Sequence, residues 1–156
     1  MRKFFSLLLL SMCILLGTVT AFAGPNGEAP GPGSFPAGMT AAETLQKYHA
    51  CITRKEMKTA WNLLGADYQN TFGSFTEFCK GFETTVSSEV TDITPVADGP
   101  NARALEYTLT AKDSTKETNV VQIFKGIAEL EFFEGRGWKI MSARNKLVDT
   151  YFPPKW

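Results

Sequence analysis

The chain has 156 residues, of which 44% are hydrophobic, with 16 basic and 16 acidic side chains and one histidine. This length accommodates one ordinary domain with one hydrophobic core. The balanced charge, without a cluster of lysine and arginine, argues against nucleic acid or an anionic membrane surface as the main partner.

The first 23 residues have the pattern of a secretory signal peptide. Two basic residues at positions 2 and 3 precede an apolar run over 4–16, and residues 21–23 read A-F-A, a typical cleavage pattern. An uncleaved membrane anchor is the alternative, but a spanning helix needs about 20 apolar residues and Gly17 interrupts this run early. We therefore predict export to a periplasmic or extracellular space, with no integral membrane segment after cleavage.

Residues 24–39 contain five glycines and four prolines in sixteen positions. Such a composition buries too little apolar surface to offset the entropy lost on ordering, so it predicts a flexible linker. The folded domain is then predicted over 40–150, followed by a C-terminal tail at 151–156. Three placements of this apolar, proline-containing tail remain open: over the sheet edge, over the mouth of the domain, or free.

Three capping boxes predict three N-terminal helices. The pattern S/T-x-x-E begins at Thr40, Thr53 and Ser74, and in it the hydroxyl and the glutamate satisfy amides at the start of a helix. Apolar residues follow each box at i, i+3, i+4 and i+7, which is typical of one buried helical face. The three apolar stripes are Ala41, Leu45, Tyr48, His49 and Ile52; Met57, Ala60, Trp61 and Leu64; and Phe75, Phe78, Cys79 and Phe82.

After about Val86 the apolar period changes to two, which predicts strands. Turn residues divide this region into strands at about 88–97, 102–112, 118–133 and 137–148, joined as an antiparallel meander. Within the third strand the apolar positions change from odd to even numbers, so we predict a β-bulge at Gly126 that bends the sheet. A curled sheet with helices across its concave face forms a cone with an internal cavity.

This arrangement resembles the nuclear transport factor 2-like superfamily, a cone-shaped α+β fold shared with ketosteroid isomerases and polyketide-cyclase-like proteins. The stretches that carry the resemblance are KEMKTAWNLLGADYQNTFGSFTEFCKGF in the helices and FKGIAELEFFEGRGWKIMSA in the last hairpin. The resemblance implies three N-terminal helices packed on a strongly curved antiparallel sheet of about four to five strands. It also implies that homodimerisation through the sheet is open beside a monomer, but many functions occur on this fold.

The stretch LQKYHACIT holds His49 and Cys51, which cannot form a nucleophilic pair because residues two apart on a helix face different directions. Cys51 is instead predicted to form a disulfide with Cys79, since the mature exported chain would have an even number of cysteines. Two buried free thiols are the alternative. One histidine and two cysteines without close spacing predict no metal site.

Aromatic and polar-tipped side chains are the candidates for a ligand pocket: Tyr48, His49, Trp61, Tyr107, Phe124 and Trp138. An apolar cavity with a few polar tips is typical of a small-molecule site, and a packed core is the alternative. His49 itself has two interpretations, a satisfied histidine at the core edge or a ligand-facing residue at the mouth of the cone.

The pattern places no pair of carboxylates inside the cone, so we predict no catalytic residues and no cofactor. We expect an exported, non-catalytic domain that binds a small apolar or amphipathic molecule in the cone or acts as an interaction module. An isomerase- or dehydratase-like enzyme with His49 as base is one alternative, and it requires Asp67 or Asp92 near the imidazole. A purely structural, partner-binding domain is another, favoured by a filled cavity beside an exposed apolar patch on the sheet.

Overall fold

The computed structural model describes residues 38–154, so the predicted signal peptide and nearly all of the predicted linker lie outside the described residues. Four helices precede four strands: α1 Ala41–Thr53, α2 Met57–Asn62, α3 Ala66–Thr71, α4 Phe75–Gly81, β1 Thr85–Asp98, β2 Ala102–Ser114, β3 Asn119–Phe133 and β4 Gly137–Tyr151. The strands form one antiparallel sheet in the order β1-β2-β3-β4. The predicted α+β fold and its meander are confirmed. Among these residues, no helix is long and apolar enough to cross a membrane.

Two of the three predicted capping sites begin helices. At α1 the Thr40 hydroxyl accepts from the Glu43 amide, and the Glu43 carboxylate accepts from the Thr40 amide at 2.7 Å, which completes a capping box. At α4 the Ser74 hydroxyl accepts from the Glu77 amide. The Glu77 carboxylate does not return to the cap residue but pairs with Lys80, 2.7 Å away.

The predicted capping box at Thr53 is wrong. Thr53 is the last residue of α1, and its hydroxyl bonds across to the sheet, accepting from the Ser88 amide at 2.8 Å and donating to the Ser88 carbonyl at 3.0 Å. α2 begins after Glu56 without a side-chain cap. The hydroxyl therefore joins α1 to β1 rather than starting a helix, because a long-range backbone partner replaces the local one.

The end of α1 is fixed by Lys55, which has a left-handed backbone conformation with φ of 59°. Its ammonium donates to the backbone carbonyls of Phe82 and Thr85, at the join between α4 and β1. Left-handed residues end helices, and this side chain then ties the helix end to the start of the sheet. α1 is thereby held along β1.

The predicted bulge at Gly126 is also wrong. β2 and β3 pair without interruption over their whole length, whereas register shifts occur in the two outer pairings, β1 with β2 and β3 with β4. Bulges bend the strands that carry them, so the curvature of the sheet arises at its edges. Gly126 has another role, because a Cβ atom there would lie 2.7 Å from Tyr107 Cε2 and would also overlap Asn145 Oδ1.

Side chains from both layers fill the concave side of the sheet. The two largest fully buried ones are Tyr107 from β2 and Phe78 from α4, which are 2% and 0% exposed. Leu45 and Ile52 of α1 are buried to the same degree. The residues after β4 run beside the start of β3, where Tyr151 pairs with Val121 and Asn119 Nδ2 donates to the Pro154 carbonyl at 2.8 Å. The region predicted as a cavity is thus occupied by aromatic and aliphatic packing.

Candidate functional site

A groove of about 460 Å³ lies between α1 and β1, which we call the α1–β1 groove. Its walls include Gln46, His49, Ala50 and Arg54 from the helix and Ser88 and Val90 from the strand. Its volume lies in the range of small-molecule sites. Hydrogen bonds from His49 and Thr53 to Ser88 join the helix to the strand along this groove.

His49 is the polar centre of this groove. Its Nδ1 lies 2.7 Å from Ser88 Oγ, and its ring packs edge-on against Tyr48 with 5.0 Å between centroids. Only 7% of the residue is exposed. Within residues 38–154, Nε2 forms no hydrogen bond, and the residue lines the groove.

Burial lowers the pKa of His49 to about 4. The imidazole is therefore neutral at physiological pH, with one protonated and one bare ring nitrogen. When Ser88 donates to Nδ1, Nε2 carries the hydrogen and can donate to a carbonyl or hydroxyl oxygen. In the other tautomer Nε2 is an acceptor and can bond only a donor such as a hydroxyl group.

No protein-family model matches the sequence, and no curated protein matches it either. Solved structures do match. A scytalone dehydratase-like protein from Novosphingobium aromaticivorans superposes with a TM-score of 0.60 at 11% identity, over 74% of this chain and 87% of that chain. A nuclear transport factor 2-like protein with a cystatin-like fold from the same organism gives 0.52 at 10% identity, over 69% and 79%.

The fold is that of the nuclear transport factor 2-like superfamily. A protein resembling the association domain of Ca/calmodulin-dependent kinase II, from Exiguobacterium sibiricum, also matches, with a TM-score of 0.54 at 13% identity over 72% of this chain and 98% of that chain. At such identities the likeness shows the fold alone, since unrelated functions share one fold. What this domain does must follow from its own side chains.

The aspartates that acid–base catalysis in this fold would need are not beside His49. Asp67 lies in the first turn of α3 and lines a different groove. The Asp92 carboxylate accepts from the hydroxyls of Thr108 at 2.8 Å and Thr91 at 3.4 Å. Among the residues that the structure describes, no group of three His, Cys, Asp or Glu could hold a metal ion.

The Ser88 hydroxyl and the His49 imidazole are arranged like a nucleophile and its general base, but among residues 38–154 no third group orients the base. A working pair needs a third group that orients the base, and in the described part of the chain Nε2 has no carboxylate partner. Ser88 is only 5% exposed. The hydroxyl therefore holds the imidazole in place, and the arrangement can bind a polar group.

The six residues predicted as pocket candidates lie in separate places. Of these, His49 lines the α1–β1 groove, while Tyr48 and Tyr107 are buried beside its ring, with 6.1 Å between the His49 and Tyr107 centroids. The other three lie elsewhere: Trp61 against Phe72, Phe75 and Phe78, Trp138 against Phe132 and Arg103, and Phe124 partly buried on β3. Ser88 and Val90 were missed because the run VSSEVTD has no apolar alternation that marks an inward face.

The predicted disulfide is not formed in this structure, where Cys51 and Cys79 are both free thiols. Cys51 is buried, and its thiol donates to the Glu56 carboxylate at 3.4 Å. Burial and this hydrogen bond raise the pKa of Cys51, so the thiol stays protonated. The Cys51 thiol bonds to Glu56 rather than to Cys79 because the turn after α1 brings the Glu56 carboxylate back to it.

We expect stability to fall by about 2 kcal/mol between pH 7 and pH 5 because of His49 alone. The pKa of this residue is about 4 when folded against 6.5 ordinarily, so between these values the unfolded chain binds the proton and the folded chain does not. The destabilisation begins near pH 6.5, grows as pH falls, and is complete below about pH 4. Urea unfolding at both pH values measures it.

His49→Gln is the matched control, because it removes the chain's only histidine and keeps a side chain that can reach Ser88. The variant should lose much less stability between pH 7 and pH 5 than the wild type. An equal loss in both proteins would show that carboxylates rather than His49 carry the pH dependence.

Proposed function

We propose that this chain is an exported, non-catalytic binding domain that holds a small, uncharged amphipathic molecule in the α1–β1 groove. The observation that carries the proposal is the neutral His49 imidazole, which lines the groove with Nδ1 bonded to Ser88 and with Nε2 unbonded among residues 38–154. A carbonyl or hydroxyl of the ligand bonds to Nε2. Its apolar part packs against Ala50 and Val90, which line the same groove.

The charges around the groove favour an uncharged ligand over a carboxylate. Glu89 lines the strand side, and the nearby Arg54 guanidinium is already paired with Glu56 at 3.0 Å. The imidazole has no positive charge to offer an anion at physiological pH, because burial keeps it neutral. The sequence pattern of a signal peptide supports export, and a small-molecule role suits the pocket size.

Native mass spectrometry of the protein purified from an oxidising compartment tests this proposal. We expect extra mass on the wild type that disappears on denaturation. Ala50→Trp should lose this mass, because the indole fills the groove from the helix side where Ala50 is partly exposed. Ala50→Ser is the matched control and should keep it. Bound mass that survives in Ala50→Trp would place the ligand elsewhere, and a bare wild-type chain would contradict binding of a tightly held molecule.

A partner-binding role is the second candidate, because apolar side chains are exposed along the end of β4. These are Leu147, Val148, Tyr151 and Phe152, of which Val148 is 59% and Phe152 65% exposed. β4 is an edge strand of the sheet, and an exposed apolar edge is a surface on which another strand can pair. We propose a second copy of this chain as that partner.

Light scattering across a concentration series tests the second candidate. A homodimer through this edge should become a monomer in Val148→Lys, which places a charge on the strand without disturbing the core. Lys146→Glu is the control for a charge change on the same strand. A wild type that stays monomeric at all concentrations would remove this candidate.

A further inference from the structure

We propose that a second groove of this domain binds an amphipathic carboxylate between Arg136 and Lys139. This groove of about 550 Å³ lies between the α2–α3 connection and the β3–β4 hairpin, and we call it the hairpin groove. It shares no residue with the α1–β1 groove. The proposal therefore stands apart from the function proposed above.

The two sides of the hairpin groove are held together by backbone hydrogen bonds. The Ile140 amide donates to the Leu63 carbonyl at 2.9 Å, and the Gly65 amide donates to the Ile140 carbonyl at 2.8 Å. The α2–α3 connection thus runs beside β4 as a short parallel bridge between Leu64 and Ile140. The walls are rigidly placed relative to each other, which reduces the entropy lost when a ligand binds.

Gly65 leaves room for Met141 beside the α2–α3 connection. A Cβ atom at this position would lie 2.8 Å from Met141 Cε and would overlap its sulfur, so a larger residue would push the flexible end of the Met141 side chain aside. Met141, Leu64 and Phe133 give the groove an apolar lining. Apolar lining of this kind accommodates the hydrocarbon part of a ligand.

Two positive charges on the hairpin side of the groove have no carboxylate partner. Within residues 38–154, neither Arg136 nor Lys139 forms an ion pair. The Arg136 guanidinium stacks on the Phe133 ring at 5.0 Å, and the Lys139 ammonium donates to the Asn62 carbonyl at 2.6 Å. Burial and the Arg136 charge lower the pKa of Lys139, so an anion placed between them would relieve their repulsion.

The distribution of charge fixes how such a ligand lies. Asp67 is the acidic residue on the opposite wall, so a carboxylate is repelled from α3 and attracted to the hairpin. A guanidinium presents a fork of N–H donors that matches a carboxylate. The acid group therefore bonds Arg136 and Lys139, while its apolar body covers Leu64 and Met141.

Titration of the full mature chain with sodium octanoate, followed in ¹H–¹⁵N spectra, tests the proposal. We expect saturable shifts at the amides of Gly65 and Lys139, with no shift at Ser88 in the α1–β1 groove. Arg136→Gln should raise the dissociation constant of octanoate by about tenfold, because one charge-assisted hydrogen bond is lost. Arg144→Gln is the matched control, because it removes the same charge from an arginine paired with Glu129 at 3.2 Å and outside the groove.

Two further probes define the ligand class. 1-Octanol carries the same chain without the charge, and inorganic phosphate carries charge without the chain; both should bind at least about tenfold more weakly than octanoate. The proposal is overturned by octanoate that gives no saturable shift at Gly65, by equal weakening in Arg136→Gln and Arg144→Gln, or by either probe binding as tightly as octanoate. Shifts confined to Ser88 would instead assign octanoate to the other groove.

Discussion

Replacing Phe78 with alanine should lower the free energy of unfolding by about 3 to 5 kcal/mol. Phe78 is 0% exposed, and its ring centroid lies 5.1 Å from Trp61, 5.2 Å from Phe72 and 5.2 Å from Phe82. Helices as short as α2, α3 and α4 have little stability of their own, since even isolated helices of about a dozen residues are marginal in water. The shared aromatic contacts with Phe78 hold these short helices together.

Urea unfolding at pH 7 measures this effect, with Phe75→Ala as the matched control. Phe75 belongs to the same helix and also contacts Trp61, at 5.7 Å, but it is partly exposed beside Lys58. Its truncation should cost about 1 kcal/mol, because less apolar area returns to water and no closed cavity forms. Equal losses in the two variants would show that Phe78 is not the centre of the helical layer.

Replacing Gly126 with alanine should destabilise the domain by about 2 to 3 kcal/mol through overpacking. The added methyl group would meet the Tyr107 ring, which is only 2% exposed, and the Asn145 side chain. It would also separate Tyr107 from Asn145, whose Oδ1 accepts from the phenol at 2.8 Å. Backbone strain plays no part, since the cause is the approach of a side chain from the neighbouring strand.

Gly81→Ala is the control for this prediction, because no heavy atom lies within 4 Å of a Cβ added there. We expect Gly81→Ala to leave stability unchanged or to raise it by up to about 1 kcal/mol, because Gly81 lies in α4 and alanine favours a helix. A second test places Gly126→Ala in a Tyr107→Leu background, where the ring that causes the clash is gone. The alanine should then cost clearly less than in the wild type, and an undiminished cost would contradict the clash with Tyr107.

The local chemistry of the chain predicts those helices and strands that no distant contact alters. Thr40 and Ser74 cap helices as their sequence indicates, and the four predicted strands correspond to the four observed. Thr53 has the same local pattern but lies within reach of Ser88, 35 residues further on. A capping motif cannot report such a partner, so the prediction failed where tertiary contacts replaced local ones.

The predicted bulge failed for a similar reason. Val121 is 2% exposed and Ala128 is 0% exposed, although they lie on opposite faces of β3. Ala128 faces the helices, whereas Asn119, on the same face as Val121, bonds the C-terminal tail at Pro154. The change from odd to even apolar positions therefore reflects burial of opposite faces at the two ends of one regular strand. Periodicity alone does not distinguish this from an inserted residue.

The candidate site was predictable in part. His49 stands out in the sequence as the only histidine, placed on an apolar helical stripe. Its partner Ser88 has no such signal, because the hydrogen bond joins residues 39 positions apart. The sequence also could not show that Tyr107 fills the cone, since the same aromatic residues would line a hollow one.

The nitrogen spectrum of the His49 imidazole, recorded before and after the retained ligand is returned to ligand-free protein, tests the proposed α1–β1 site most directly. We predict a neutral ring down to about pH 4, a ligand-dependent shift at Nε2, and an Nδ1 signal that stays typical of its bond to Ser88. A ligand that leaves Nε2 unchanged and shifts the rings of Phe78 and Tyr107 would place binding inside the cone and contradict the site in the groove.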